Sequence, residues 1–253
     1  MIANIAAYHF VQIEAPHTLA ARLRGWAGQA ALLGTVLVAG EGINLFLAGT
    51  DAGIDAFLVQ LRGDARFAGL QVKHSRSNAR PFARLKVKVK PEIIAFRRDD
   101  ASPLRRRAPA ISPAELARWI ARGSDDAGNR LVLLDTRNRE ESAHGTFADA
   151  LTLPIDNFAG FPDALAPHRD ALGDATVVSF CTGGIRCEKA ALWMQANGMD
   201  NVLQLDGGIL AYFEQVGGYG YDGRCFVFDS RIALDAELRP LVDNPEMQDK
   251  EAA

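Results

Sequence analysis

The stretch SFCTGGIRCEKAALWMQ, residues 179–195, joins an apolar strand to a helix through a glycine-rich turn. The apolar run before it ends at Cys181, and Arg186 and Cys187 follow the two glycines. Predicted strands and helices alternate on both sides of this stretch, which indicates a parallel α/β sheet. Because ligands bind at the carboxyl ends of such strands, we expect Cys181 to lie in a functional site.

The second half of the chain predicts the other elements of this sheet. Ser112, Pro113 and Glu115 form a capping box with proline at the first helical position, so a helix begins there and ends at Gly123. The strand at residues 131–137 opens with a continuous apolar run, typical of a parallel strand covered on both faces. Further strands are predicted at residues 151–154, 176–180 and 201–205, and helices at residues 188–196 and 208–215.

The first half of the chain predicts a separate domain with the ferredoxin-like order β-α-β-β-α-β. Asp51 is the predicted N-cap of its second helix. A last strand at residues 82–94 alternates between apolar residues and lysines, so we expect one buried face and one face of solvated cations. The elements before it are strands at residues 7–13, 35–39, 44–48 and 70–75 and helices at residues 16–33 and 51–61.

Positive charge is concentrated in one segment. Residues 73–107 contain twelve Lys and Arg against three acids, a net charge of +9, so the chain's net charge of −3 leaves −12 elsewhere. This asymmetry predicts either a polyanionic partner or a solvated basic face next to a basic linker. The candidate RNA-binding residues are Arg84, Lys86, Lys88, Lys90, Arg105 and Arg106.

Composition excludes several classes of protein. Apolar residues make up 48% and charged residues 23% of the chain, as in a soluble globular protein. No apolar run approaches a membrane span, and the N-terminus lacks the pattern of a signal peptide. With three cysteines we expect no disulfide framework and a cytoplasmic location. Neither a metal-ligand spacing nor a flavin or nicotinamide fingerprint is readable, so the residues predict no metal and no cofactor.

The loop after Cys181 suits a bound anion. Gly183 and Gly184 allow successive backbone N–H groups to converge on one point, and the following helix N-terminus adds its dipole. These donors and Arg186 predict a thiol pKa below the free value of about 8.5. The alternative is a buried structural cysteine beside a glycine turn.

The length of this loop indicates its chemistry. Only Thr182 to Ile185 separate Cys181 from Arg186, whereas a cysteine phosphatase needs five residues there to cradle phosphate. CTGGIR resembles the active-site loop of rhodanese domains, whose cysteine carries a persulfide. The resemblance extends to LLDTRNREE, with Asp135, Arg137 and Glu140 as supporting residues, to Gly145 and Ala150, and to LDGGI from Leu205.

A narrower resemblance covers nearly the whole chain. EGIN at residues 41–44, FARLKVKVKPEII at 82–94, CTGGIRCEKA at 181–190 and CFVFDSR at 225–231 follow the order seen in the bacterial tRNA uridine hydroxylase family. This resemblance implies an acylphosphatase-like domain joined to a rhodanese domain. It also implies oxidation of the wobble uridine of tRNA to 5-hydroxyuridine by molecular oxygen, with Cys181 as the catalytic residue.

We therefore expect a ferredoxin-like, acylphosphatase-like domain at residues 1–98, a basic linker and helix at 99–126, a rhodanese domain at 127–221 and a polar C-terminal segment at 222–253. The expected partner is the tRNA anticodon loop, with no membrane and no stable protein partner. The competing functions are a thiosulfate or persulfide sulfurtransferase and a non-catalytic RNA-binding module.

The roles of single residues in the loop stay open. Cys181 could act as a persulfide, as a sulfenate or through an adduct with the pyrimidine ring. Cys187 either resolves an oxidised Cys181 or packs at the helix start. Arg186 either binds substrate or braces the loop through Asp135 or Glu140.

Overall fold

The computed structural model describes residues 1–98 and 100–243. These residues form two compact units. The first contains Met1–Ile94, Phe228–Ile232 and residues 239–243, and the second contains Ala95–Val227 and Ala233–Leu238. The segment boundaries predicted at residues 98, 126 and 221 stay predictions, and residues 244–253 of the predicted polar tail lie outside the described residues.

The first unit has the predicted ferredoxin-like order. Its sheet runs β4-β1-β3-β2-β5, in which β1 is antiparallel to β3 and β4, and β2 is antiparallel to β3 but parallel to β5. The elements are β1 (Ile2–Phe10), α1 (Pro16–Gln29), β2 (Leu33–Ala39), β3 (Gly42–Gly49), α2 (Asp51–Arg62), β4 (Lys73–Ser77) and β5 (Leu85–Val89).

Two boundaries in this unit differ from the sequence prediction. The N-cap of α2 is Thr50, whose hydroxyl accepts a hydrogen bond from the Gly53 backbone N–H at 3.1 Å, and not Asp51. Helix α1 ends before the predicted residue 33, because Leu33 already belongs to β2, which hydrogen-bonds to β3. Both errors arise because the end of a helix depends on the hydrogen-bond partners of its last residues, and the sequence does not show those partners.

Strand β5 has the predicted alternation. Val87 is buried, whereas Lys86, Lys88 and Lys90 are exposed. The strand is shorter than the predicted residues 82–94 and lies at the edge of the sheet, paired with β2 alone. Its lysines therefore form one row of cations on the solvent side of the first unit.

The second unit contains the predicted parallel sheet. Its strand order is β6-β11-β10-β7-β9, and all four neighbouring pairs are parallel. The sheet strands and the helices are β6 (Ala110–Ile111), α3 (Pro113–Arg122), β7 (Arg130–Asp135), α4 (Arg139–Ser142), β9 (Leu151–Thr152), α5 (Phe161–Leu165), α6 (Arg169–Leu172), β10 (Ala175–Phe180), α7 (Ile185–Ala196), β11 (Val202–Leu205) and α8 (Gly208–Val216). The fold class predicted from the sequence is thus confirmed.

Two small antiparallel pairs complete the second unit. Strand β8 (Gly145–Phe147) pairs with β12 (Tyr221–Gly223), and β13 (Cys225–Phe226) pairs with β14 (Ala233–Leu234). Within the described part of the chain, no helix is long and apolar enough to cross a membrane.

The structure defines both ends of α7, the helix that follows Cys181 and its loop. Its C-terminus is a Schellman motif: Gly198 has φ 84°, its N–H donates to the Gln195 carbonyl at 3.2 Å, and the Met199 N–H donates to the Met194 carbonyl at 3.0 Å. The helix begins at Ile185 and not at the predicted residue 188. Arg186 and Cys187 therefore lie in its first turn.

Candidate active site

Cys181 directly follows β10, the central strand between β11 and β7. Its side chain is fully buried. Gly184, in the left-handed conformation with φ 99°, directs its backbone N–H to the Cys181 sulfur at 3.2 Å. The loop therefore places a donor on the sulfur at the N-terminus of α7, as the two glycines predicted.

The N-terminus of α8 holds this loop from the other side. The N–H groups of Ile209 and Leu210 donate to the carbonyls of Cys181 and Thr182 at 2.9 and 3.0 Å. Gly208 has φ 66°, and a Cβ there would lie 2.4 Å from the Cys181 carbonyl oxygen. Only glycine allows this approach, which is the physical reason for the LDGGI element.

The surroundings of Cys181 favour its thiolate. Burial raises the pKa, but the Cys187 thiol donor, the Arg186 charge and the backbone N–H groups of Arg186 and Gly184 outweigh it and lower the pKa of Cys181 to about 5. Burial and the neighbouring Cys181 raise the pKa of Cys187 well above its usual range. At neutral pH the site therefore holds a thiolate at Cys181 that accepts a hydrogen bond from a neutral Cys187 thiol, which agrees with the predicted low pKa.

Arg186 braces the loop through a glutamate that the sequence analysis did not select. Its Nη1 and Nη2 atoms donate to both carboxylate oxygens of Glu141 at 2.6 Å, and both side chains are buried. Glu140, the predicted supporting residue, is exposed. The pattern D-x-R-x-x-x-E already contained the signal, because counting from Asp135 and Arg137 places its glutamate four residues after Arg137, at Glu141.

Asp135 and Arg137, two of the predicted supporting residues, bind each other, so Asp135 is the partner of Arg137 and not, as one alternative predicted, of Arg186. Arg137 Nε and Nη2 donate to the two Asp135 oxygens at 2.9 and 2.6 Å, and Nη2 also donates to the Gly145 carbonyl at 2.6 Å. Both side chains are fully buried. Asp135 pairs in register with Phe180 across β7 and β10, so the ion pair fixes the backbone beside Cys181.

Two threonines add contacts at the loop: Thr182, which belongs to the predicted active-site loop, and Thr136, which the sequence analysis did not select. The Thr136 hydroxyl donates to the Phe180 carbonyl at 3.0 Å and lies 3.6 Å from the Cys187 sulfur. The Thr182 hydroxyl donates to the carbonyl of Phe226 at 3.5 Å. Thr136 follows a conspicuous aspartate and carries no pattern of its own, so only the tertiary contacts reveal it.

The remaining predicted residues lie in different surroundings. Ile185 is buried, whereas Gly183 is partly exposed and has open space around its α-carbon. Arg84 and the three lysines are exposed on the first unit, and Arg105 and Arg106 are exposed on the second. Among the described residues there is no group of three or more His, Cys, Asp or Glu side chains that could hold a metal ion.

Comparison with known proteins identifies the family. Residues 2–93 match the family described as "UPF0176 acylphosphatase like domain", and residues 112–215 match the rhodanese-like domain family. A protein of Xanthomonas euvesicatoria pv. vesicatoria named tRNA uridine(34) hydroxylase is 68% identical over 96% of this chain and 98% of its own length. The chain belongs to the tRNA uridine(34) hydroxylase family. A Xylella fastidiosa member with the same name is 65% identical over 96% of this chain and 95% of its own length.

Two solved structures are similar to the rhodanese-like half of this tRNA uridine(34) hydroxylase family member. A Saccharomyces cerevisiae homologue of single-domain rhodaneses and of the Cdc25 phosphatase catalytic domain has a TM-score of 0.38 and 16% identity, covering 46% of this chain and 87% of its own. A rhodanese-like domain from Anabaena has a TM-score of 0.37 and 19% identity, covering 46% of this chain and 79% of its own.

The low pKa of Cys181 predicts its alkylation profile in a Cys225→Ser background. The rate of modification by iodoacetamide should rise with pH around a midpoint of about 5 and level off before neutral pH. Replacing Cys187 with alanine removes a donor to the thiolate and should move the midpoint upward, while Cys187→Ser, which keeps a donor, should move it less. Peptide mass spectrometry at Cys181 measures the rate. A wild-type midpoint at or above the free thiol value would contradict the anion cradle.

The buried ion pair predicts that substitutions at the adjacent residues Glu141 and Glu140 have very different effects on the stability of the protein. Glu141→Gln leaves the Arg186 charge without a buried counter-charge and should lower the free energy of unfolding by about 3 kcal/mol. Glu140→Gln changes an exposed side chain and should stay within about 0.5 kcal/mol of the parent. Urea denaturation of both variants measures the difference. Equal stabilities would show that Arg186 does not depend on Glu141.

Proposed function

We propose that this chain is a tRNA uridine(34) hydroxylase, which converts the wobble uridine of tRNA to 5-hydroxyuridine and uses Cys181 as its catalytic residue. The observation that carries the proposal is a buried thiolate in a loop of backbone donors, inside a chain that is 68% identical to proteins of that name over nearly its full length. A thiolate at neutral pH is the reactive form of cysteine, whereas a structural buried cysteine stays protonated.

The reaction uses molecular oxygen as co-substrate in this proposal, as the family resemblance implies. One oxygen atom is added at C5 of uracil so that C–H becomes C–OH, and the other is reduced to water with two electrons and two protons from an external donor. Cys181 supplies the nucleophilic sulfur, and the neighbouring neutral Cys187 donates a hydrogen bond to it. The framework residues Asp135, Arg137, Glu141 and Arg186 hold the loop in place during the reaction.

The intact mass of the protein distinguishes the three forms of the sulfur. A persulfide adds one sulfur atom, a sulfenate adds one oxygen atom, and an adduct at C6 of uracil adds the RNA itself. The same measurement tests the second candidate function. A sulfurtransferase, which the rhodanese-like match at residues 112–215 favours, would form the persulfide from thiosulfate and pass its sulfur to cyanide.

The exposed row of lysines on β5 suits the phosphate backbone of tRNA. Lys86 and Lys88 lie on β5, where alternate residues are about 7 Å apart, and Lys90 directly follows the strand; all three are exposed. Phosphate contacts of this kind give affinity without sequence preference, and the affinity falls as salt rises. Because these contacts do not distinguish bases, we expect the unit that contains Cys181 to select the base.

The anticodon loop is the part of tRNA that suits a buried thiolate. A base must leave its stack to approach the sulfur, and this costs least where the base is unpaired. Cys181 is fully buried and Thr182 nearly so, which excludes contact with a base that remains inside a duplex. An anticodon stem-loop should therefore compete for binding better than a duplex of equal length.

The lysine row predicts a change in salt dependence. Replacing Lys86, Lys88 and Lys90 with Gln should weaken tRNA binding and lower the slope of log affinity against log salt by about two to three units. The matched control replaces Arg118, Arg122 and Arg139 with Gln, which removes the same charge from exposed positions outside the basic segment. Binding titrations at several salt concentrations measure both slopes. Equal slopes in the two triple variants would mean that the lysines are a solvated face.

Cys181→Ser should separate binding from chemistry. The variant should bind tRNA about as tightly as the parent, since the lysine row is unchanged, and should form no 5-hydroxyuridine. Nucleoside mass spectrometry of tRNA treated under the heavy isotope of oxygen gas should show one heavy atom in the product of the parent. Product formation by Cys181→Ser, or an oxygen atom drawn from water, would contradict the proposed reaction.

A further inference from the structure

The motif CFVFDSR at residues 225–231 contributes an aromatic residue beside the catalytic loop. Phe226 lies in β13, and its carbonyl accepts the hydrogen bond of the Thr182 hydroxyl at 3.5 Å. Thr182 is the residue next to Cys181. The backbone of Phe226 is therefore tied to the loop that carries the thiolate.

The ring of Phe226 is partly exposed and oriented by His144. The two ring centroids are 5.2 Å apart, and their planes are tilted by 41°. His144 is itself partly exposed and follows α4, the helix that carries Glu141. Because Glu141 holds Arg186 in the catalytic loop, one short segment positions both the loop and the aromatic pair.

Close backbone contact fixes these two segments relative to each other. The Arg224 N–H donates to the His144 carbonyl at 2.8 Å. A Cβ at Gly145 would lie 2.4 Å from the Arg224 nitrogen, and a Cβ at Gly223 would lie 2.5 Å from the His144 oxygen. Neither glycine can be replaced without separating the strands, so the aromatic pair is held on a stiff support.

We infer that Phe226 is the platform on which the uracil of nucleotide 34 stacks while Cys181 acts on it, with His144 setting the tilt of the ring. The inference rests on the proposed function, because it needs a pyrimidine as substrate. A base that leaves the anticodon stack loses its neighbours, and an aromatic side chain replaces that stacking whatever the base. Phe226 is accordingly a positioning residue for the reacting ring.

The platform predicts how substitutions at Phe226 act. Phe226→Leu keeps an apolar side chain but removes the stacking face, so kcat/KM for 5-hydroxyuridine formation should fall about 10- to 100-fold, the usual loss for one base–aromatic stack. Phe226→Tyr and Phe226→Trp keep a ring and should retain most of the activity. The salt slope of tRNA binding should not change in any of them, because the phosphate contacts remain.

Two controls separate stacking from a general defect. Tyr219→Leu removes an aromatic side chain that is 53% exposed in the same unit and should leave kcat/KM unchanged. The alkylation profile of Cys181 in Phe226→Leu should match the parent, which shows that the loop is intact. Equal kcat/KM in Phe226→Leu and the parent would overturn the inference.

A crosslinking experiment tests the contact without turnover. An anticodon stem-loop with 4-thiouridine at position 34 should crosslink on irradiation to Phe226 or His144, and the yield should fall when the photoactive base is moved to position 35. A crosslink elsewhere, in a wild-type protein that makes 5-hydroxyuridine, overturns the platform and leaves the proposed function standing. A wild-type protein that crosslinks at Phe226 but never forms the product contradicts the proposed function instead.

Discussion

The ion pair between Arg186 and Glu141 is the interaction on which the site depends. A guanidinium with 5% exposure needs a buried counter-charge, and the two-point contact at 2.6 Å supplies it. Glu141 also accepts the Asn138 N–H at 3.1 Å, so the same carboxylate fixes the start of α4. One side chain thus connects the first turn of α7 to the segment that follows β7.

The two arginines beside Cys181 are each paired with a carboxylate, so hydrogen-bond donors must stabilise the negative charge of the thiolate. Arg137 with Asp135 and Arg186 with Glu141 are two nearly neutral units packed beside the end of β10. Cys181 adds one negative charge, and the Gly184 N–H and the Cys187 thiol donate to it. Hydrogen bonds from a preorganised loop cost nothing to arrange at the moment of reaction, which is what a reactive sulfur requires.

In the proposed function, the two units contribute different parts of tRNA recognition. A row of lysines at a sheet edge offers affinity for any phosphate backbone, and a buried sulfur offers selectivity for an unpaired base. The first unit presents exposed cations, while the second buries the ion pairs Arg137–Asp135 and Arg186–Glu141 beside Cys181. Affinity and chemistry can then be changed by separate substitutions.

The fold class, the main strands and helices, the lysine face of β5 and the thiolate loop could all be predicted from the amino-acid sequence. These depend on short-range physics: period-two alternation, the cap at Ser112, the glycines before α7 and the count of residues between Cys181 and Arg186. Element ends were less well determined, as Thr50 in place of Asp51 and the early start of α7 show, because a terminus is decided by the partner its backbone finds.

The side-chain contacts around Cys181 became known from the three-dimensional fold. It selected Glu141 over Glu140 as the partner of Arg186, because one residue along a helix turns the side chain from the buried face to solvent. It also brought Gly208, Thr136, His144 and Phe226 to the loop from distant parts of the chain. No local pattern contains such contacts, since they arise when separate segments pack against the same sheet edge.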